Sequence, residues 1–195
     1  MKLPKILSEK EKTEQEKTRS RWITAFIVFV LMASTAAFAL TSNSTSENVK
    51  YKGFTFIKTE NGWQIKNTEV LTTFLPTDVE NISSPLFSPD DFKKDTYFLA
   101  MTSSEQMAAN ELNRAFYNVI TKAQLACSKK YENESFCAEL PVKDCENEAD
   151  GLIIELEETE NQSIEFKNSC ISIKGNEIDL IKVADRIIFS AYKII

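Results

Sequence analysis

Hydrophobic residues follow three patterns along this chain: one uninterrupted run, several alternating stretches and two helical repeats. The uninterrupted run is residues 22–41, which contain no charged residue, no proline and no glycine. Twenty residues in an α-helix extend about 30 Å, which matches the thickness of a bilayer's hydrocarbon core. We therefore predict a transmembrane helix over residues 22–41.

The charges that flank this run predict its orientation. Residues 1–21 hold seven Lys or Arg, whereas residues 42–61 hold three. Because positive flanks stay on the cytoplasmic side, we expect a cytoplasmic tail over 1–21 and expect residues 42–195 to lie outside the cell membrane. Ala37-Phe38-Ala39 also fits a signal-peptidase site, under which the run would be a removed signal. The long charged lead and the length of the run favour a retained single-pass anchor.

Alternating residues begin after a polar stretch, 42–50, which we interpret as a linker. Residues 51–57 and 63–66 alternate in polarity, and Asn61-Gly62 between them is typical of a hairpin turn. Residues 70–75 predict a third strand, which Pro76 stops. The aromatic residues on these strands could form a ligand platform, but a core position is the better interpretation on alternating strands.

The second half of the chain predicts an α/β-type unit. Residues 78–94 are rich in Pro, Asp and Ser and predict a loop or short turns, whereas 96–101 are apolar and predict a buried strand. Ser103 and Gln106 fit a capping box for a helix that continues to about Cys127. The apolar face of that helix repeats at steps of three and four residues: Ala108, Leu112, Ala115, Phe116, Val119, Ala123 and Ala126.

Three short strands and a helix complete the pattern. The strands are predicted at 152–156, 163–166 and 170–173, and Asn176 is a good N-cap for a helix that ends near Lys193. Apolar residues cover nearly the whole circumference of that helix, so it is either buried on most sides or meets a partner. We keep both alternatives, and Ile178–Ile195 is the candidate contact with another envelope protein.

The predicted fold is therefore α+β: one transmembrane helix, then an exterior domain over residues 51–195 with a mixed or antiparallel sheet and two main helices. The whole chain carries −6; residues 1–21 contribute +3 and residues 22–41 are uncharged, which leaves −9 on residues 42–195. Such an acidic domain argues against binding to nucleic acid or to anionic lipid surfaces.

Cysteine usage agrees with an exterior location. Cys127, Cys137, Cys145 and Cys170 all follow the apolar run, and an even number in an oxidising compartment predicts disulfides. Four cysteines allow three connectivities. We favour Cys127–Cys137, which closes a short loop after a predicted helix, with Cys145–Cys170, which ties the start of a predicted strand to the preceding connection. Free thiols are the alternative, and zinc is disfavoured because the chain has no CxxC pair and no histidine.

Four N-glycosylation sequons lie on the predicted outer side, at Asn43, Asn81, Asn133 and Asn161. We list them as glycosylation candidates, since the motif also arises by chance in a chain rich in Asn, Ser and Thr.

One acidic stretch has the spacing of a calcium-binding EF-hand loop. Its candidate ligands are Glu146, Glu148, Asp150 and Glu157, with Gly151 at the sixth place. Glu replaces Asp at two places, and residues 152–156 read as a strand where an EF-hand needs a helix. A solvated acidic turn is the favoured interpretation, and we predict neither a metal nor another cofactor.

The residue inventory restricts enzymatic chemistry. Without histidine there is no Ser-His-Asp triad or Cys-His pair, and the four glycines cannot form a phosphate-binding loop. A carboxylate pair of glycosidase type, or a Ser-Lys dyad using Ser103 or Ser104, remains chemically possible.

Five short sequence segments in the predicted exterior domain resemble a group of known proteins: residues 51–56, 61–63, 75–80, 170–175 and 184–188. In these segments the chain resembles small archaeal membrane-anchored proteins of unassigned function. The resemblance implies a single-pass anchor, an exterior α+β domain and a disulfide near the last strand, and it implies no activity. The expected function is a structural or protein-binding component of the cell envelope, and the alternative is an exported hydrolase that uses carboxylates.

Overall fold

The computed structural model describes residues 22–23, 26–28, 30–32, 47–146 and 151–195. The chain divides into two compact units, residues 1–45 and residues 46–195. In the first unit the described residues are helical, and their large apolar side chains are exposed. Across the described residues, no helix combines the length and apolar character needed to cross a membrane. The rest of the predicted 22–41 segment, the 1–21 tail and residues 42–46 lie outside the described residues.

The second unit begins with a four-stranded antiparallel sheet in chain order. Its strands are β1 (Asn48–Tyr51), β2 (Phe54–Thr59), β3 (Gly62–Ile65) and β4 (Leu71–Thr72). Two expectations are corrected here. Residues 48–50 belong to a strand and not to the linker, and the single strand over 51–57 is interrupted by a turn at Lys52-Gly53, where φ is 44° and 90°.

The β2–β3 hairpin is present, but its turn lies one residue earlier than predicted. Glu60 and Asn61 form the turn, and Gly62 is already paired with Thr59. The Thr59 hydroxyl donates to the Gly62 carbonyl at 2.9 Å and accepts from the Asn61 N–H at 3.3 Å. These two bonds close the turn locally, which explains the shift.

A five-stranded mixed sheet forms the other side of the domain, in the order β10-β11-β9-β5-β6. Its members are β5 (Asp95–Leu99), β6 (Lys122–Leu125), β9 (Leu152–Glu158), β10 (Ser163–Lys167) and β11 (Cys170–Gly175). Four strands are parallel and β10 is antiparallel to β11. The predicted α+β class with a mixed sheet is confirmed.

The helix after β5 differs from its prediction at both ends. Helix α2 (Ser103–Phe116) is capped by Thr102 and Glu105, one residue before the predicted box. It ends at Phe116 and does not reach Cys127. The β-branched residues Val119, Ile120 and Thr121 disfavour a helix. The backbone of β6 then pairs with β5. The sequence did not reveal this strand, because Ala123 and Ala126 fit the helical repeat.

Helix α3 (Glu177–Ala191) starts at Asn176 as predicted, with the Asn176 side chain accepting from the N–H groups of Ile178 and Asp179. It packs beside α2 and contacts β9 and β11. Toward the N-terminal sheet, Phe189 meets Phe56 edge to face at 5.9 Å between ring centroids. Because elements surround α3 on several sides, all its apolar residues but a few are buried. That is the physical reason for its apolar circumference.

The remaining elements are short. Helix α1 (Pro76–Val79) covers one turn, and three 3-10 turns occupy Pro89–Phe92, Lys129–Tyr131 and Ser135–Cys137. Strands β7 (Cys127–Ser128) and β8 (Val142–Lys143) form a small parallel pair. Two disulfides fasten this region, Cys127–Cys137 and Cys145–Cys170, with Cα–Cα distances of 5.7 and 5.5 Å. This is the pairing favoured from the sequence.

Candidate functional site

A groove of about 650 Å³ lies between the C-terminal end of α2 and the turn that follows β3. We call it the Tyr117 groove. Its lining residues are Thr68, Glu69, Val70, Arg114, Ala115, Tyr117, Asn118 and Tyr192. The volume lies within the ~300–1,000 Å³ range of small-molecule sites. The groove is therefore lined both by apolar side chains and by polar side-chain groups.

The end of α2 places the aromatic and amide groups of the groove. Helix α2 stops at Phe116, so Tyr117 and Asn118 fall in the following turn, and Tyr117 is 74% exposed. Tyr192 forms a fixed wall, because its hydroxyl donates to the Ala115 carbonyl at 2.9 Å and its ring stacks on Phe116 at 5.9 Å. One exposed ring and one fixed ring thus border the groove.

The opposite wall comes from the turn between β3 and β4. Asn67 adopts a left-handed φ of 64°, and Thr68 closes the turn by donating its hydroxyl to the Ile65 carbonyl at 2.8 Å. Glu69 then accepts a hydrogen bond from the Asn118 side chain at 3.2 Å. This bond joins the two walls at the rim.

A chain of polar side chains runs from the groove into the core. Arg114 donates to the Glu111 carboxylate at 2.7 Å, and the other oxygen of Glu111 accepts from the Thr73 hydroxyl at 3.1 Å. Glu111 is 8% exposed and lies next to Asp185, which is fully buried on α3. Arg114 is therefore held by a carboxylate that has its own fixed partners.

Burial raises the pKa of Asp185 well above its ordinary value, and the neighbouring Glu111 carboxylate raises it further. One Asp185 oxygen accepts from the Phe74 N–H at 2.7 Å, while Oδ1 has no hydrogen-bond partner among the described residues. The raised pKa favours the neutral, protonated form of the Asp185 carboxyl.

A second, smaller crevice lies where β5 and β9 end. In the sheet, β5 lies between β6, the next strand along the chain, and β9, the strand of this sheet that follows β6. The strand order therefore reverses between β5 and β9, and ligands commonly bind at such a point in α/β sheets. The crevice has a volume of about 80 Å³ and includes Glu155 and Glu157. Both carboxylates alternate with the core residues Ile154 and Leu156, so they lie on the sheet face opposite the main core.

The environment shifts these two acids in opposite directions. Burial raises the pKa of Glu155, and the Glu157 carboxylate adds to this. The hydrogen bond from Lys174, at 2.7 Å, lowers the pKa of Glu157. Pairs of acids with diverging pKa values are typical of acid–base sites, so Glu155 and Glu157 are candidates for the carboxylate pair that the sequence left without named residues.

Two of the four calcium candidates, Glu146 and Glu157, lie in the described part of the chain. Glu157 lies on β9 and binds Lys174, Glu146 is exposed, and Glu148 and Asp150 lie outside the described residues. Residues 152–158 form a strand, as the favoured interpretation of an acidic turn requires. Within the described ranges no group of three or more metal-ligating side chains is found.

The other predicted site residues are placed as follows. Asn81, Asn133 and Asn161 are exposed, and Asn43 lies outside the described residues. In the candidate contact Ile178–Ile195 most apolar side chains are buried within the domain; Ile181, Tyr192 and Ile195 are partly buried, and Ile178 is 56% exposed. The surface of this stretch is therefore small.

Sequence reasoning missed both the Tyr117 groove and the buried acid pair. A signal for the acids existed, because Asp185 interrupts an otherwise apolar run on α3 and Glu111 lies between Ala108, Leu112 and Ala115 on the apolar face of α2. The groove had no such signal, since its residues come from two turns and two helix ends. Comparisons with protein-family models, with curated proteins and with solved structures find no significant match.

Proposed function

We propose that the chain is a membrane-anchored protein of the cell envelope whose exterior domain binds a ligand in the Tyr117 groove. The observation that carries the proposal is the groove itself: an open space of about 650 Å³ with two tyrosine rings and with arginine, asparagine and glutamate tips at its walls. Such a mixture is typical of a recognition site.

Two features support the anchor. Residues 22–41 are an uncharged apolar run with a positively charged N-terminal flank. In addition, the described helical residues of this run expose large side chains, Trp22 at 74% and Phe26 at 67% among them. Apolar side chains exposed in this way are stable when lipid covers them. The resemblance to archaeal single-pass proteins is in accord with this reading.

The groove favours binding over catalysis. Of the described residues that line it, Glu69 is the one acid, and Asn118 already donates to it. The nearby acids Glu111 and Asp185 are buried and hold Arg114, Thr73 and the Phe74 backbone. Because both carboxylates are buried and hydrogen-bonded within the domain, we assign them a structural role.

Photo-crosslinking in the native membrane tests the proposal. The full chain is produced with a photoreactive phenylalanine analogue in place of Tyr117 and, as a control, in place of Phe136, an aromatic residue that is 53% exposed in another loop. We expect a defined adduct from position 117 and none from position 136. Equal adducts at both positions, or none at 117, would refute the binding role of the groove.

A second candidate function, an exported hydrolase that uses carboxylates, is favoured by the opposite pKa shifts of Glu155 and Glu157. Glu155 would be the acid and Glu157 the ionised partner. The crevice of about 80 Å³ is smaller than a typical ligand site, which is why this function ranks second. A glycosidase screen of the full chain with Glu155→Gln as the matched inactive variant decides: activity lost in that variant would place this function first.

A further inference from the structure

We infer that the ligand of the Tyr117 groove is a neutral oligosaccharide. This inference rests on the proposed function, since it names the chemical class that the groove recognises. Three properties of the groove lead to it: its aromatic surfaces, the unused hydrogen-bonding capacity at its rim, and its balance of charge.

The aromatic surfaces suit the apolar faces of sugar rings. Tyr117 is 74% exposed at the rim, and its hydroxyl makes no hydrogen bond in the described part of the chain. The Tyr192 ring is held in place by its hydrogen bond to Ala115 and by stacking on Phe116. A fixed ring supplies a preformed surface at little entropic cost, and an exposed ring can close over a second sugar.

The polar tips of the rim offer donors and acceptors together. Arg114 uses one terminal nitrogen on Glu111 and keeps other N–H donors. The Asn118 amide nitrogen donates to one oxygen of the Glu69 carboxylate. The second Glu69 oxygen and the Asn118 side-chain carbonyl remain as acceptors. A sugar hydroxyl both donates and accepts, so it can bond to either kind of tip.

The charge balance disfavours ionic ligands. The positive charge of Arg114 is paired with Glu111 at 2.7 Å, and Glu69 adds a negative charge to the rim of a chain that is already acidic. An anionic ligand therefore meets an arginine whose charge is already paired, and a cationic ligand meets the Arg114 guanidinium in the same groove as Glu69. A neutral ligand avoids both costs.

Ligand-observed saturation-transfer NMR on the full chain, in a detergent without a sugar headgroup, tests the inference. The neutral probes are maltotriose, cellotriose and triacetylchitotriose; the comparison probes are trigalacturonate and a neutral tripeptide. We expect transfer to at least one neutral trisaccharide and none to the comparison probes. Tyr117→Phe keeps the ring and should retain binding, whereas Tyr117→Ala should weaken it roughly tenfold.

The controls separate this inference from the proposed function. Phe136→Ala removes an exposed aromatic residue elsewhere and should leave the signal unchanged. Because Tyr117 is on the surface, we expect Tyr117→Ala to fold normally. An unchanged melting temperature of this variant will show that it does. Failure of all three neutral sugars overturns the saccharide class. The binding function still stands if position 117 crosslinks, or if trigalacturonate or the peptide binds in a way that depends on Tyr117. If none of these results is obtained, the binding function fails together with the saccharide inference.

Discussion

The Asp185 carboxyl, fully buried on α3, accepts a hydrogen bond at 2.7 Å from the backbone N–H of Phe74, which follows β4. The two residues are 111 positions apart in the chain. This bond ties the last helix to the end of the N-terminal sheet. The same carboxyl lies against Glu111, whose partner Arg114 lines the Tyr117 groove. The core and the groove are therefore linked through a few polar contacts.

Substitutions at Asp185 should separate its acceptor role from its charge. Asp185→Ala leaves the buried Phe74 N–H without an acceptor and should lower the free energy of unfolding by about 1–3 kcal/mol. Asp185→Asn keeps an acceptor for Phe74 and can donate to Glu111, so it should cost far less at neutral pH. Urea unfolding of the three proteins measures this, and equal losses in both variants would contradict the assignment.

The Asp185 pKa also predicts a pH dependence of stability. Because its folded pKa is raised above the ordinary value of 3.8, the stabilising contribution is complete below that pH and is lost as the pH rises through the folded pKa. The free energy of unfolding should therefore contain a component that falls with rising pH. Asp185→Asn should remove this component, and an unchanged pH profile in that variant would assign it to another group.

Gly62 should be intolerant of a side chain. Its φ of 128° is rarely adopted by other residues, and an added Cβ would collide with the Thr72 carbonyl across the β3–β4 pair. Gly62→Ala should lower the free energy of unfolding by about 2 kcal/mol or more. Gly53→Ala is the matched control: its φ is 90°, but nothing lies within 4 Å of the added atom, so only backbone strain remains. A larger loss at Gly53 would contradict this packing.

The two disulfides should differ in their effect on stability. Cys145–Cys170 closes 25 residues and Cys127–Cys137 closes 10. Loop entropy then predicts losses of roughly 3.5 and roughly 2.7 kcal/mol for the double Cys→Ser variants. Chemical unfolding of each variant under oxidising conditions gives the ranking. An unaltered stability in either variant would show that the corresponding bridge does not form in the purified protein.

The first strands of the domain and the start of the final helix could be predicted because their signals are local. Alternation identified β2 and β3, the short run 152–156 identified β9, and Asn176 with Glu177 and Asp179 identified the start of α3. The end of α2 could not be predicted in the same way. Ala123 and Ala126 fit a helical repeat, yet the decisive interaction is the pairing of β6 with β5, which joins residues far apart in sequence.

The candidate sites needed the tertiary structure. Glu111 and Asp185 meet only because α2 and α3 pack side by side, and Glu69 meets Asn118 because a turn of the N-terminal sheet lies over the end of α2. Glu155 and Glu157 could be read as surface acids on a strand, but their opposite pKa shifts depend on burial and on Lys174 from the neighbouring strand. No pattern within one segment contains this information.

Native mass spectrometry of the full chain, released from its own membranes in mild detergent, tests the central claim most directly. We predict an intact chain of 22.2 kDa, less four hydrogens for two disulfides, that carries an additional bound mass. Tyr117→Ala should lose the bound mass, and Phe136→Ala should keep it. A chain that begins after Ala39, or one whose bound mass is absent or independent of Tyr117, would contradict an anchored protein that binds through this groove.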